Sequence, residues 1–72
     1  MSFDSSLAVR VNGDHRRVKE GTSVAQLVRE MGLDPHRVAV ERNLEVVKRG
    51  TLEDVEVADG DEYEIVHFVG GG

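Results

Sequence analysis

Glu62-Tyr63-Glu64-Ile65-Val66-His67-Phe68-Val69-Gly70-Gly71-Gly72 closes the sequence and decides how the rest is read. Ile65, Val66, Phe68 and Val69 are β-branched or aromatic, and such residues fit a pleated surface. They run without a polar linker into Gly70, Gly71 and Gly72, which carry no Cβ and lose the most entropy on ordering. The expectation is a strand issuing into a mobile tail. A glycine tail is narrow, and its carboxylate can pass down a channel too tight for side chains. Terminal glycines can also be an expression remnant. The strand that feeds straight into them argues against that.

Upstream, Asp59-Gly60-Asp61 reads as the turn that launches this strand. Leu7, Val9 and Val11 alternate with Ala8 and Arg10, the period of a half-buried strand. Asn12-Gly13 is a strong hairpin signal because both residues tolerate positive φ. His15-Arg16-Arg17-Val18-Lys19 then returns as a charged second strand. Ser23 and Gln26 have the spacing of a capping box. Val24, Leu27, Val28 and Met31 follow on one helical face. Gly32 and Asp34-Pro35 end that helix, predicted over residues 24–31. Val38-Ala39-Val40-Glu41-Arg42 is a third strand and Glu45-Val46-Val47-Lys48 a fourth. Thr51 is expected to cap one helical turn, with Leu52 and Val55 dipping inward.

The order is therefore β-β-α-β-β-β. The helix must lay its single apolar face on one side of the sheet. The last strand, long and apolar, belongs at the centre, parallel to the first across a long crossover. That is an α+β chain of the β-grasp (ubiquitin-like) class. Its expected divisions are a disordered segment 1–6, a β-grasp domain 7–69 and a Gly tail 70–72.

Composition narrows the function. A chain of 72 residues is one domain that buries only about 60% of its unfolded surface. A core and a deep catalytic pocket do not both fit, so a carrier or binding module is expected rather than an enzyme. The chain has no cysteine, which excludes disulfides, thiolate metal sites and a cysteine nucleophile. His15, His36 and His67 match no metal-ligand spacing, and no metal is expected. The balance of 14 acidic to 9 basic residues disfavours nucleic acid and steers the chain toward a basic partner surface. No run is long enough to span a membrane, and the first residues lack signal-peptide character. A cytoplasmic protein is expected.

Several stretches together resemble the ThiS family of ubiquitin-like sulfur carriers. They are Val11-Asn12-Gly13, Gly21-Thr22-Ser23-Val24-Ala25-Gln26-Leu27, Val38-Ala39-Val40-Glu41-Arg42-Asn43, Asp59-Gly60-Asp61 and the strand ending in glycines. They cover essentially the whole domain. Lys48-Arg49-Gly50-Thr51-Leu52 departs from the proline and tryptophan that many members carry there. The MoaD carriers of molybdopterin synthesis share the fold and the diglycine. Their approach to the tail usually contains a proline, which Phe68-Val69 lacks, and this favours the thiamine branch.

The resemblance implies adenylation of the Gly72 carboxylate and its conversion to a thiocarboxylate. Gly70 and Gly71 form the lead, while Val66, Phe68 and Val69 bind partners. It implies a ThiF-like adenylating enzyme that uses ATP, a ThiG-like thiazole synthase, and a cysteine desulfurase as indirect sulfur source. No tightly bound cofactor is implied. A ubiquitin-like modifier joined to lysines, or a plain interaction domain, remains compatible with the residues alone.

Overall fold

The computed structural model describes residues 5–68. Strands β1 (Ser6–Val11) and β2 (Asp14–Lys19) precede helix α1 (Val24–Glu30). A 3-10 turn (Pro35–Arg37), β3 (Val38–Arg42), β4 (Glu45–Val46) and β5 (Glu62–His67) follow. The sheet order is β2-β1-β5-β3-β4. The last strand is thus central, parallel to β1 and antiparallel to β3, as the β-grasp reading requires. β1 begins at Ser6, inside the segment expected to be disordered, because Ser6 pairs with Lys19.

Asn12 and Gly13 take φ of 52° and 86°, the turn that matches the right-handed twist of a two-residue hairpin. The capping box forms at α1. The Ser23 hydroxyl accepts from the Gln26 N–H at 3.1 Å, and Gln26 Oε1 accepts from the Ser23 N–H at 3.0 Å. The helix stops one residue before Met31, which becomes its C-cap. Gly32 at φ 81° lets the Gly32 N–H reach the Arg29 carbonyl and the Leu33 N–H reach the Val28 carbonyl. This pair of bonds is a Schellman ending.

Segment 51–57 corrects one expectation. One turn does close, from the Asp54 N–H to the Thr51 carbonyl at 2.9 Å, with Leu52 buried and Val55 half-buried as expected, but the Thr51 side chain does not cap it. The Thr51 hydroxyl instead donates backwards to the Lys48 carbonyl at 2.6 Å. The Leu52 and Val55 carbonyls accept from the Ala25 and Val24 N–H groups at 3.0 and 2.8 Å. With Ser23 serving Gln26 and Leu27, all four N–H groups that open α1 are satisfied. A helix cannot leave these donors unpaired in a buried place. β4 is shorter than expected because Val47 turns toward the core and the Lys48 carbonyl is taken by Thr51.

The core lies between α1 and one sheet face. Val24, Ala25, Leu27 and Val28 pack with Val9, Val11, Val18, Val38, Val40, Tyr63 and Ile65, and Leu52 and Val57 close the side. On the opposite face Arg10, Ala39, Glu41, Val46, Glu62, Glu64 and Val66 are exposed, as is Phe68 just beyond β5.

Candidate docking face beside the last strand

Strand alternation sorts the residues after Asp61 into two sets. Tyr63 and Ile65 are buried under α1. Val66 and Phe68 point away and keep 57% and 47% of their surface exposed. Val66 pairs with Ala39 of β3, and the Phe68 N–H donates to the carbonyl of Arg37, the last residue of the 3-10 turn, at 2.8 Å, so β3 and the turn before it support the two positions. The Arg49 guanidinium lies 5.4 Å from the Phe68 ring centroid, within cation–π range. On β4, Val46 adds a side chain 77% exposed. Val69, Gly70, Gly71 and Gly72 lie outside the described residues.

The other end of the same face is acidic. Glu62, Glu64 and Glu41 line a depression with Arg10 and Leu44. Arg10 approaches Glu62 at 3.8 Å with both side chains largely exposed. The depression holds about 190 Å³, short of the roughly 300–1,000 Å³ of small-molecule pockets. A face of this kind, apolar at one end and charged at the other, suits contact with another protein.

Two asparagines and one aspartate fix β5 beneath this face. Asn12 Oδ1 accepts from the Ile65 N–H at 2.8 Å, and Asn12 Nδ2 donates to the Ile65 carbonyl at 3.1 Å. Near the start of the strand, Asn43 Oδ1 accepts from the Glu62 N–H at 2.9 Å. Asp61 is buried, and its carboxylate accepts from Arg42 Nε (2.8 Å), the Tyr63 hydroxyl (2.8 Å), the Ala58 N–H (2.9 Å) and Asn43 Nδ2 (3.1 Å). Burial pushes the Asp61 carboxyl up. The bonds from Ala58, Tyr63, Asn43 and Arg42 outweigh burial and leave it below the usual carboxylate range. Burial, and then the bond to Asp61, hold the Tyr63 phenol well above its ordinary value.

His15, His36 and His67 stand exposed on β2, the 3-10 turn and the end of β5, and the fold does not bring them together. Among the described residues no group of three or more His, Cys, Asp or Glu is placed to hold a metal ion. No helix among them is long and apolar enough to cross a membrane. Sequence reasoning missed Val46, Leu44 and Arg49 on the open face, and the anchoring by Asn12, Asn43 and Asp61. Leu44 carried a signal, an apolar residue beside a turn-forming asparagine in a charged stretch. Asp61 carried none, since a buried aspartate and a turn aspartate look alike in sequence.

The chain is similar to known proteins along nearly its full length. The model of the ThiS family matches residues 9–72. The sulfur carrier protein ThiS of Bacillus subtilis is 40% identical over 65 residues, covering 89% of this chain and 98% of that one. Two thiazole synthases match it, from Paramagnetospirillum magneticum (47% identical, 86% of this chain) and Magnetococcus marinus (41%, 92% of this chain). The chain spans about a fifth of their length, 19% and 20%. The crystal structure of the thiamine biosynthesis protein ThiS from Geobacter metallireducens superposes with a TM-score of 0.71 at 33% identity, over 92% of this chain and all of that one. A designed protein templated on human ubiquitin shares the fold alone, with a TM-score of 0.52 at 18% identity. By fold, by length of match and by identity, the chain belongs to the ThiS family.

Proposed function

We propose that the reacting group is the backbone carboxylate of Gly72. A free α-carboxyl has a pKa of about 3.3–3.7, so at neutral pH it is an anion and a poor electrophile. A ThiF-like partner joins it to the α-phosphate of ATP and releases pyrophosphate. The resulting acyl adenylate has AMP as leaving group. A persulfide sulfur, drawn ultimately from a cysteine desulfurase, attacks the acyl carbon and displaces AMP to give an acyl disulfide, and a thiol reductant then cleaves the S–S bond, leaving the thiocarboxylate and being oxidised to a disulfide. A ThiG-like thiazole synthase then takes the sulfur for the thiazole ring. This chain supplies the acyl carbon and the docking surface, while its partners supply catalysis.

The observation that carries this reading is the exposed pair Val66 and Phe68 at the end of a central, anchored strand, directly ahead in sequence of Val69 and the glycines at 70–72. The match to a fifth of two thiazole synthases supports the synthase as partner. The lack of cysteine fits a reducing cytosol.

Incubation with the adenylating enzyme, ATP and a sulfur donor is expected to add the oxygen-to-sulfur mass increment on the C-terminal peptide. An unchanged terminus, beside a converted Bacillus subtilis carrier, rejects the reading.

A further inference from the structure

We propose that the open sheet face is read in one direction by the adenylating enzyme; this rests on the sulfur-carrier reading above, in which that enzyme meets the carrier first. The partner surface that fits is apolar at its centre. It carries a carboxylate at the end that receives Arg49 and a basic side chain at the end that receives Glu41 and Glu64.

Arg49 differs from the other arginines of the chain. Each of those makes an ion pair or donates a hydrogen bond. Among the described residues Arg49 has no such partner, and its guanidinium lies over the Phe68 ring, 5.4 Å from the centroid. A guanidinium set on an aromatic face keeps its planar N–H edge open, and that edge matches a carboxylate with two parallel bonds. The positive charge therefore stands beside the apolar pair Val66 and Phe68, ready for an acidic group on whatever surface takes that pair.

Glu41 and Glu64 mark the other end. They stand directly opposite each other on β3 and β5, both exposed, and like charges so placed destabilise a sheet. Elsewhere the same sheet sets opposite charges across from each other, Arg10 to Glu62 and Arg42 to Glu45. Acidity for solubility alone does not account for the exception. Among the described residues neither Glu41 nor Glu64 has an ion-pair partner. An arginine or lysine of a partner, placed between them, removes the repulsion and gains two attractions.

Glu64 and Phe68 are 68 − 64 = 4 residues apart, about 13 Å along an extended strand. That exceeds the screening length of about 8 Å at physiological ionic strength, so the two ends act separately. A partner turned end for end meets like charge at both, and such juxtaposition suppresses the wrong orientation.

The test follows association of the full chain with the adenylating enzyme by stopped flow and calorimetry, at low and at high salt. Glu64→Lys sets a cation opposite Glu41 and is expected to raise the urea midpoint. In the same variant association should slow on the order of tenfold at low salt, with the loss shrinking at high salt. Opposite signs on stability and on binding exclude a folding defect. Arg49→Lys keeps the charge and loses the planar fork; its Kd should rise on the order of tenfold. Glu30→Lys, exposed at the end of α1 on the far side of the sheet, makes the same change of net charge and should associate at close to the wild-type rate. Wild-type association in Glu64→Lys, a wild-type Kd in Arg49→Lys, or equal slowing in Glu30→Lys overturns this proposal alone. A wild-type chain that is not adenylated overturns the carrier reading and this proposal with it.

Discussion

Asp61 gathers four hydrogen bonds on one buried carboxylate, so its removal strands several donors at once. Asp61→Ala leaves the Arg42 guanidinium, the Tyr63 hydroxyl and the Ala58 N–H without their acceptor. Breaking a buried charge pair from one side costs about 3 kcal/mol, to be read by urea denaturation at neutral pH. The pH dependence has a definite sign. The folded carboxyl titrates below its ordinary value of 3.8, so between the two values the unfolded chain binds more protons. The stabilisation is present above 3.8 and is lost as pH falls through the lower folded value. The gap between wild type and Asp61→Ala should therefore narrow in that acid range. At the alkaline end Tyr63 behaves oppositely. Its folded value is raised above 10.0, so stability is full below 10 and falls as pH rises through the folded value. Tyr63 is the single tyrosine in a chain without tryptophan. Phenolate absorbance of the native protein should thus begin well above pH 10, and a normal titration near 10 would contradict the buried bond to Asp61.

Among the elements, the β3–β4 turn holds the clearest local conflict. Leu44 sits at φ 70° with 89% of its surface exposed, so it bears left-handed strain without packing in return. That conformation costs a residue with a Cβ about 1–2 kcal/mol, and glycine gives back about 0.5–1 in entropy. Leu44→Gly should raise stability by about 0.5–1 kcal/mol in chemical denaturation. If it also weakens partner binding, the strain is kept for the contact that Leu44 makes. The helix and segment 51–57 show the reverse case. Local signals in Ser23, Gln26 and Gly32 define α1 almost to the residue, because capping is short-range chemistry. The same kind of reading fails at Thr51, where the carbonyls of Leu52 and Val55 are claimed by a helix 27 and 31 residues earlier (52 − 25 to Ala25 and 55 − 24 to Val24). No local pattern announces that claim.

For the whole molecule, the proposed docking on the open face gives a direct measurement. Val66→Thr with Phe68→Ser keeps strand propensity at the paired position and removes the apolar surface. Exposed substitutions of this kind change stability by about 0.5 kcal/mol or less. Loss of an anchoring pair should weaken affinity for the adenylating enzyme on the order of tenfold or more, by calorimetry at fixed salt. Equal affinity would move the docking surface elsewhere. The central place of β5 and its parallel pairing with β1 were legible beforehand, because a grasp-type order leaves few arrangements open. Val46 and Arg49 were not, since their place beside Phe68 depends on how far β4 runs before it bends. Asn12 and Asn43 were legible as turns and illegible as anchors. A side chain that bonds a strand's backbone depends on where a strand 53 positions away happens to pass.

The central place of β5 also bears on how the protein is made. Arg10 meets Glu62 across 52 residues of chain (62 − 10), and β3 meets the same strand from the other side. Until residues 62–67 have left the ribosome, the early hairpin and the β3–β4 pair have no strand between them, and Tyr63 and Ile65 are missing from the core. Synthesis proceeds at about 5–20 residues per second, so the early hairpin waits roughly 2–9 seconds for the strand that lies 62 − 19 = 43 residues beyond it. A chain broken off before residue 62 therefore has no assembled sheet face with which to meet a partner.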